Sequence, residues 1–402
     1  MCGIFGYVGQ ERDATDAVME GLRRLDYRGY DSWGVAVLKG NEISVEKQVG
    51  IVAKNRPSLP ETTIGIGHTR WATHGKVSVP NAHPHYSTDK SFVLCQNGIV
   101  ENHQEIKKQL TKKGYSFVSD TDTEVIVRLV EEKKLKRAKS LEEAVRLAFK
   151  DLKGRNTIIV LAQNGDVIAA RNGSPLVLGL SKNEKELYFS SDVFSFAPHV
   201  ETVLVLNNGD MTVCREKKFS VFEIKIGKKL KPVFEKNMLK NVSVDKQGHA
   251  HFMEKEIKEA PYVIRQVVAE EDAKYKKLAA AIKKARTVYC IGSGTAGAAA
   301  AQTAYYLRTY GKINAKELIG AEAHEYESLI GKGDLFISPS QSGETADVLE
   351  VLEHAKAKKA LIASQVNMPG SMMTRMSDFA FMANAGPEIC VMSTKIFVSQ
   401  IA

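Results

Sequence analysis

The pattern of predicted elements changes near residue 250, and this change most restricts the folds open to the chain. Before residue 210 the sequence contains short strand-like runs, such as 34–38, 92–95, 157–161 and 202–206, and two clear helical patterns over 15–25 and 123–130. After residue 250, helical patterns over 254–269 and 274–285 lead into alternating strands and helices. The first pattern predicts a layered α+β domain, and the second predicts an α/β domain with a doubly wound parallel sheet.

The domain boundaries follow from the same change. A chain of 402 residues exceeds what one ordinary core contains. We therefore expect a first domain over 1–220, a linker over 221–255 and a second domain over 256–402. The linker rests on residues 225–240, which hold six lysines and one glutamate without a clear period. A solvated sheet edge is the other interpretation of that stretch.

Charge and hydropathy exclude several classes of protein. The 56 Lys and Arg residues against 47 Asp and Glu residues give a net charge of +9, which favours anionic ligands. The basic residues are not interleaved with stacking aromatics, so we expect no nucleic-acid partner. Residues 287–307 carry no charge over a membrane-spanning length, but their Ser, Gly, Thr and Gln content favours a strand, a glycine turn and a buried helix. We expect no membrane association, and the N-terminus lacks a secretory signal, so we expect a cytoplasmic protein.

Metal and disulfide frameworks are not expected either. The five cysteines are scattered and never spaced as CxxC. Five histidines lie close together in sequence, at positions 68, 74, 83, 85 and 103, but no nearby cysteine or acidic partner completes a ligand set. We therefore predict neither a metal site nor a redox cofactor.

Cysteine at position two suggests a nucleophile. Removal of the initiator methionine would leave Cys2 with a thiol and an α-amine on one residue. An α-amine with a pKa near about 8 can accept the thiol proton at neutral pH, so no separate base is required. The alternative is that Cys2 is a small buried residue that opens the first strand.

Six segments decide between these interpretations: MCGIFGYVG (1–9), LRRLDYRGYDS (22–32), GHTRWATHG (67–75), NAHPH (81–85), QNGIVEN (96–102) and DTDTE (120–124). In this order they resemble the glutaminase domain of class II glutamine amidotransferases, over residues 1–210. The resemblance implies an N-terminal-nucleophile fold with αββα layers. It implies Cys2 as nucleophile, with the Asn97 side chain and the Gly98 N–H as oxyanion donors.

The same resemblance implies a glutamine pocket formed by Arg28, Arg70, Trp71, Thr73, His74 and Asp122. Chemically, Arg70 can hold the α-carboxylate in a bidentate pair, and Asp122 can accept from the α-ammonium group. Two residues depart from the family pattern. Gln96 stands where a histidine is usual, and Trp33 stands where an alanine is common.

The second half contains a predicted anion site. A buried strand over 335–339 is followed by SQSGET (340–345) and a helical pattern, and hydroxyls with N–H groups at a helix start bind phosphate. A simple helix cap is the alternative. SQSGETADVLE, NMPGS (367–371), NAGPEICVMSTK (384–395) and CIGSGTAG (290–297) resemble the sugar isomerase, or SIS, module. This implies phosphate contacts at Ser340, Gln341, Ser342 and Thr345 and sugar contacts at Thr295, Val391 and Ser393, whereas Ala296 replaces a ligand serine.

A glutaminase followed by SIS resembles the isomerizing aminotransferases that convert fructose 6-phosphate and glutamine to glucosamine 6-phosphate and glutamate. Such enzymes need no cofactor, act in hexosamine biosynthesis and are expected to dimerise through their SIS domains. Family members continue into a second SIS module with the isomerisation base and a Schiff-base lysine. We therefore expect this chain to be a fragment that retains glutaminase activity and a partial sugar-phosphate site.

Two alternatives remain open at this point. An amidophosphoribosyltransferase shares the glutaminase, but it needs a pyrophosphate-binding loop with adjacent acidic residues, and no such run is found. A regulatory phosphosugar-binding SIS protein with a degenerate glutaminase is the other alternative.

Overall fold

The chain forms two compact units in a computed structural model that describes residues 2–216, 218–240, 245–269, 272–390 and 392–402. The first unit is Met1–Val242 and the second is Ser243–Ala402. The division falls within the stretch that the sequence predicts as a linker.

In its described residues, the first unit contains two antiparallel sheets and four α-helices. Its strands are β1 (Gly3–Val8), β2 (Ser32–Lys39), β3 (Glu42–Val49), β4 (Ile64–Arg70), β5 (His85–Tyr86), β6 (Phe92–Gly98), β7 (Asn156–Ala162), β8 (Val167–Asn172), β9 (Val177–Leu180), β10 (Leu187–Ser190), β11 (Thr202–Val205), β12 (Asp210–Arg215), β13 (Lys218–Glu223), β14 (Lys229–Leu230) and β15 (Glu235–Lys236). Its helices are α1 (Ala14–Arg24), α2 (His103–Lys112), α3 (Asp122–Lys136) and α4 (Leu141–Asp151). The strand orders are β15-β11-β9-β10-β1-β4-β2-β3 and β14-β13-β12-β8-β7-β6-β5.

Alternating side chains stack these elements as helix, sheet, sheet and helix. On β1, Ile4 faces the second sheet, whereas its neighbour Phe5 packs in the cluster that contains α1. On β6, Val93 lies between the sheets and Leu94 packs against α2, α3 and α4. Successive residues of a strand point to opposite faces, so both faces of each sheet are buried. The predicted αββα architecture is confirmed.

Two features of the first unit differ from the sequence prediction. The structure has α2 and α4 in addition to the two predicted helices, because α2 buries only Ile106 and Leu110 and its period is therefore weak. α4 carries a capping signal that could have revealed it, since Ser140 accepts from the N–H of Glu143. In the predicted linker, β14 pairs with β13 and β15 pairs with β11, so part of that stretch forms sheet edges.

The described part of the second unit has one parallel sheet with helices on both faces. Its helices are α5 (Phe252–Val268), α6 (Asp272–Lys284), α7 (Thr295–Thr309), α8 (Ala346–Ala357), α9 (Met372–Met376) and α10 (Lys395–Ile401). Its strands are β16 (Val288–Gly292), β17 (Ala315–Ile319), β18 (Leu335–Ser340), β19 (Leu361–Val366) and β20 (Phe379–Met382). They lie in the order β17-β16-β18-β19-β20, which confirms the predicted doubly wound sheet.

The order reverses between β16 and β18, and the carboxyl ends of such strands form the usual binding crevice. Cys290 packs against α7 on one face of the sheet, and Ile291 packs against α8 on the other. The uncharged stretch 287–307 therefore forms β16 and most of α7. Among the described residues, no helix is long and apolar enough to cross a membrane.

Candidate functional site

Cys2 lies directly before β1, beside the end of β4. The two strands are antiparallel with Gly3 opposite Thr69, so the residues after β4 reach the thiol. The N–H of Trp71 donates to Cys2 Sγ at 3.3 Å, and Sγ donates to the Trp71 carbonyl at 3.5 Å. A Cβ on Gly3 would lie 2.6 Å from Thr69 Oγ1, so glycine permits this close approach.

Charged neighbours act on the thiol. Burial raises the pKa of Cys2 above its ordinary value, the Trp71 N–H and the Arg70 charge oppose this shift, and Asp122 adds to it. A thiol that keeps its proton at neutral pH needs a nearby base before it can attack. The α-amine of an N-terminal cysteine is such a base.

The candidate oxyanion donors lie at the end of β6. Asn97 is 2% exposed, and within the described residues its Nδ2 has no hydrogen-bond partner. Gly98 has φ +144°, and a Cβ there would lie 2.0 Å from the Arg155 carbonyl oxygen, so only glycine fits. A buried N–H without a partner costs about 1–3 kcal/mol. An oxyanion-hole donor has this property before substrate binds.

Three hydrogen bonds bring the ends of the two sheets and α3 together. His68 on β4 contacts the Gln96 carbonyl on β6 through Nε2 at 2.8 Å. The Val100 N–H donates to Asp122 Oδ2 at 2.8 Å, and the Thr123 hydroxyl donates to Gln96 Oε1. Asp122 is the first residue of α3, where the helix dipole favours a negative charge. One end of the unit therefore carries the nucleophile, the oxyanion donors and the carboxylate.

Arg70 does more than the sequence predicts. It is 3% exposed, and its guanidinium donates to the carbonyls of His74, Gly75 at 3.1 Å and Lys76 at 3.3 Å. These bonds use three of the five N–H donors of an arginine. The two remaining donors, on Nε and Nη1, lie on different edges of the guanidinium, so each can contact a substrate carboxylate but they do not form the expected bidentate pair. The same side chain shapes the loop that follows β4.

The remaining predicted pocket residues differ in exposure. Trp71 is half-buried and contacts Tyr30 edge to face at 5.3 Å, whereas Thr73 is exposed. His74 contacts His103 edge to face at 4.8 Å, and its Nδ1 is buried without a partner in the described part of the chain.

Arg28 is held from one side. Its Nη2 donates to Asp192 Oδ2 at 2.9 Å and its Nε to the Tyr27 hydroxyl at 3.3 Å. Its Nη1 is buried and has no partner among the described residues. This group is the part of Arg28 that remains for a ligand.

His68, His83 and His85 form a buried cluster that the sequence does not predict. The His68 and His83 rings are 4.1 Å apart, and the His83 and His85 rings are 4.9 Å apart. Burial lowers the pKa of His68 to about 3 and holds the pKa values of His83 and His85 well below the ordinary value. The cluster is therefore neutral at pH 7. Within the described residues no group of His, Cys, Asp and Glu is placed to hold a metal ion, and none of the five cysteines forms a disulfide.

The two departures from the family pattern are both buried. Gln96 Nε2 donates to Asn156 Oδ1 at 2.6 Å, so its amide joins β6 to β7 as well as to α3. Trp33 packs with Leu25 and Leu59 in the cluster beneath α1. Sequence spacing does not predict these contacts, because Asn156 is distant in the chain from Gln96, and Leu59 is distant from Trp33.

The predicted phosphate loop follows β18. Ser340 Oγ accepts from the Gly343 N–H at 2.9 Å, and Ser342 Oγ accepts from the Glu344 N–H at 3.2 Å. Thr345 is the N-cap of α8, but its side chain makes no capping hydrogen bond. The loop is therefore folded at a helix start, with the Thr345 hydroxyl left for a ligand.

Asn367, after β19, was not identified from the sequence, although the NMPGS segment contains it. Its N–H donates to the Gln341 carbonyl at 3.2 Å. Its side chain accepts from the Ala385 N–H at 3.0 Å and donates to the Gly386 carbonyl at 2.7 Å. It thus joins the phosphate loop to the segment that leads to Ser393.

Two of the other predicted sugar contacts, Thr295 and Ser393, lie in different segments of the second unit. Thr295 is the first residue of α7, and the Ser338 hydroxyl donates to the Ile291 carbonyl at 3.0 Å, which holds the ends of β18 and β16 together. Ser393 donates to Glu388 at 2.7 Å. Val391 lies outside the described residues, and Ala296 follows Thr295 in α7.

A separate cavity of about 570 Å³ lies beside the glycine turn of β16. Its lining includes Glu317, Glu322 and Glu325. Three carboxylates disfavour an anion, so the serine loop is the better phosphate site.

The matched domains define the class of protein. Residues 68–197 match the family described as glutamine amidotransferase domain, and residues 281–402 match the SIS domain. A solved glutamine phosphoribosylpyrophosphate amidotransferase from B. subtilis matches 100% of this chain and 92% of its own, with a TM-score of 0.50 and 16% identity, which shows the fold alone. The chain is a glutamine amidotransferase that carries a SIS domain.

Curated relatives identify the family. The chain is 38% identical over 413 residues to the isomerizing glutamine–fructose-6-phosphate aminotransferase of Pyrococcus horikoshii, covering 100% of this chain and 68% of that protein. The corresponding protein of Thermococcus kodakarensis is 39% identical over 409 residues, covering 100% of this chain and 67% of that protein. This chain belongs to the glutamine–fructose-6-phosphate aminotransferase family and is an enzyme.

Proposed function

We propose that this chain releases nitrogen from glutamine at Cys2, in the service of the conversion of fructose 6-phosphate to glucosamine 6-phosphate. The observation that carries the proposal is the group of Cys2, the unpartnered Asn97 amide and Asp122 at one end of the two sheets. These supply a nucleophile, an oxyanion donor and an acceptor for the α-ammonium group.

The chemistry proceeds in two steps. Once Met1 is removed, Cys2 Sγ attacks the side-chain amide carbon of glutamine, and its proton passes to the free α-amine of Cys2 and then to the departing ammonia. Asn97 Nδ2 and the Gly98 N–H hold the negative oxygen of the tetrahedral intermediate. Water then cleaves the thioester, which yields glutamate and restores the thiol.

Substrate position depends on the surrounding pocket. A remaining N–H donor of Arg70 binds the α-carboxylate of glutamine, and Asp122 binds the α-ammonium group. Trp71, Thr73, His74 and Arg28 shape the rest of the pocket. Because both charged ends are held, a glutamine amide is distinguished from an amide in a protein chain.

The sugar phosphate binds at the carboxyl edge of the parallel sheet. Ser340, Gln341, Ser342 and Thr345 surround the phosphate, which the α8 dipole stabilises. Thr295, Val391 and Ser393 contact the sugar. We further propose a cytoplasmic homodimer formed through the SIS domains.

Glutamate release and sugar binding test the two parts separately. The chain should release glutamate from glutamine, Cys2→Ala should not, and Cys95→Ala should retain the activity, because Cys95 is buried between the sheets. Fructose 6-phosphate should bind in a calorimetric titration, and Ser340→Ala should weaken it. Glutamate release by Cys2→Ala would overturn the nucleophile assignment. Sugar binding without any glutamate release by the unsubstituted chain would instead indicate a regulatory phosphosugar-binding protein.

A further inference from the structure

Two buried carboxylates hold the segment that contains Ser393. Glu388 is 4% exposed and accepts from the Ser393 hydroxyl at 2.7 Å, the Thr394 N–H at 2.8 Å and the Ile396 N–H at 3.1 Å. A carboxylate with several hydrogen-bond donors tolerates burial that an isolated charge would not. Glu388 therefore fixes the backbone on both sides of Thr394.

Glu256 reaches the same segment from α5. It is 1% exposed and accepts from the Ile389 N–H at 2.6 Å and from the Cys390 N–H at 3.4 Å. Its other oxygen lies 3.2 Å from the Thr394 hydroxyl, which also contacts Glu388 at 3.0 Å. The two carboxylates thus contact the segment before and after Val391.

The Glu388 contact decides which hydrogen bond Ser393 can make to a ligand. A serine hydroxyl has one hydrogen and two acceptor lone pairs. Because the Ser393 hydrogen is directed to Glu388 Oε2, its oxygen can only accept from a ligand. A sugar hydroxyl can donate to it, whereas a phosphate oxygen cannot.

We propose that Glu256 and Glu388 are positioning residues of the phosphosugar site, which present Ser393 as an acceptor for a sugar hydroxyl. The proposal rests on the proposed function, since it requires a sugar phosphate at this edge. The Asn367 bridge supports it, because Asn367 contacts both the phosphate loop and Ala385 and Gly386, just before Glu388. Phosphate and sugar contacts thereby share one framework.

Replacing Glu388 with glutamine reverses the direction of its hydrogen bond with Ser393. The amide has the same shape, but only one end can accept, and that end must face the Thr394 and Ile396 N–H groups. Its NH₂ end then donates to Ser393, whose own hydrogen is released. We expect Glu388→Gln to weaken fructose 6-phosphate binding by up to about tenfold, the size of one lost hydrogen bond between neutral groups.

Calorimetry of fructose 6-phosphate binding to the full chain tests the proposal in four variants. Glu388→Gln, Glu256→Gln and Ser393→Ala should each weaken binding, and the Glu388→Gln, Ser393→Ala double variant should lose no more than either single one. Glu254→Gln is the matched control, because Glu254 is exposed on the same helix. Glutamate release should stay unchanged in Glu254→Gln.

Hydrogen exchange provides a readout that does not need the sugar. The Ile389 and Cys390 amides should exchange faster in Glu256→Gln, and the Thr394 and Ile396 amides in Glu388→Gln, whereas the amides of β16 and β18 should not change. Unchanged exchange, unchanged affinity or additive losses in the double variant would overturn the proposal. Failure of the unsubstituted chain to bind fructose 6-phosphate would overturn the proposed sugar site itself.

Discussion

Replacing Asn97 with alanine should separate catalysis from stability. Nδ2 of Asn97 is buried without a partner in the described residues, and such a donor costs about 1–3 kcal/mol in the folded state. Its removal offsets the packing lost with the side chain, so we expect the free energy of unfolding to stay within about 1 kcal/mol of the wild-type value. Under the proposed function, the same N–H faces the oxyanion in the transition state. Loss of one such donor lowers kcat by about 10²–10³, or about 2.7–4 kcal/mol.

Steady-state glutamate release and thermal unfolding measure the two effects. KM for glutamine should change little, because the donor acts on a charge that exists only in the transition state. Asn172→Ala is the control, since Asn172 is an exposed strand residue of the same unit. A kcat within about threefold of wild type would refute the oxyanion role. A stability loss above about 2 kcal/mol would refute the argument from the unpartnered donor.

Three further predictions concern the same unit. Gly98→Ala should fail to give soluble, active protein, because a Cβ at this positive φ would lie 2.0 Å from the Arg155 carbonyl oxygen. An expression and activity assay that finds a soluble, active variant would contradict this. Asp122→Asn should raise KM for glutamine with little change in kcat, since the charge is lost but an amide oxygen can still accept from the Val100 N–H. Steady-state kinetics that show a lower kcat at constant KM would indicate another role for Asp122. The histidine cluster should make the fold labile to acid. Its pKa values are lowered in the folded state, so its contribution to stability is complete above the unfolded pKa of about 6.5. That contribution falls with decreasing pH, by up to about 2 kcal/mol per histidine at pH 5. A melting temperature that does not decrease from pH 7 to pH 5 would contradict it.

The architecture could be predicted because local pattern and global burial agree. Ile4 and Phe5 face opposite sides of β1, and both sides are buried, so the strand is apolar throughout. The parallel strands alternate with helices in chain order, which is a signal that a single sequence carries. α2 could not be found in the same way, because two apolar residues suffice to dock it.

The functional positions were predicted from ordered sequence segments, but their hydrogen bonds were not. Gln96 contacts Asn156, and Glu256 contacts Thr394, at separations of 60 and 138 residues. Such contacts depend on the finished fold, and nothing in the local sequence specifies them. The contacts of Arg70 are with residues close to it in sequence, but they also depend on the finished fold, because the carbonyls of residues 74–76 must converge on its guanidinium.

The two candidate sites use the hydrogen on a polar side chain in opposite ways. Asn97 keeps an N–H without a protein partner, so this hydrogen is available to a developing negative charge. Ser393 directs its hydrogen to Glu388, so only its lone pairs face outward. The free N–H of Asn97 therefore favours an anion. The outward lone pairs of Ser393 disfavour an anion and favour a hydroxyl group that donates. Under the proposed function, the neighbour that does or does not take the hydrogen therefore decides which substrate group each residue can bind. A substitution at that neighbour can then change this preference without moving Asn97 or Ser393.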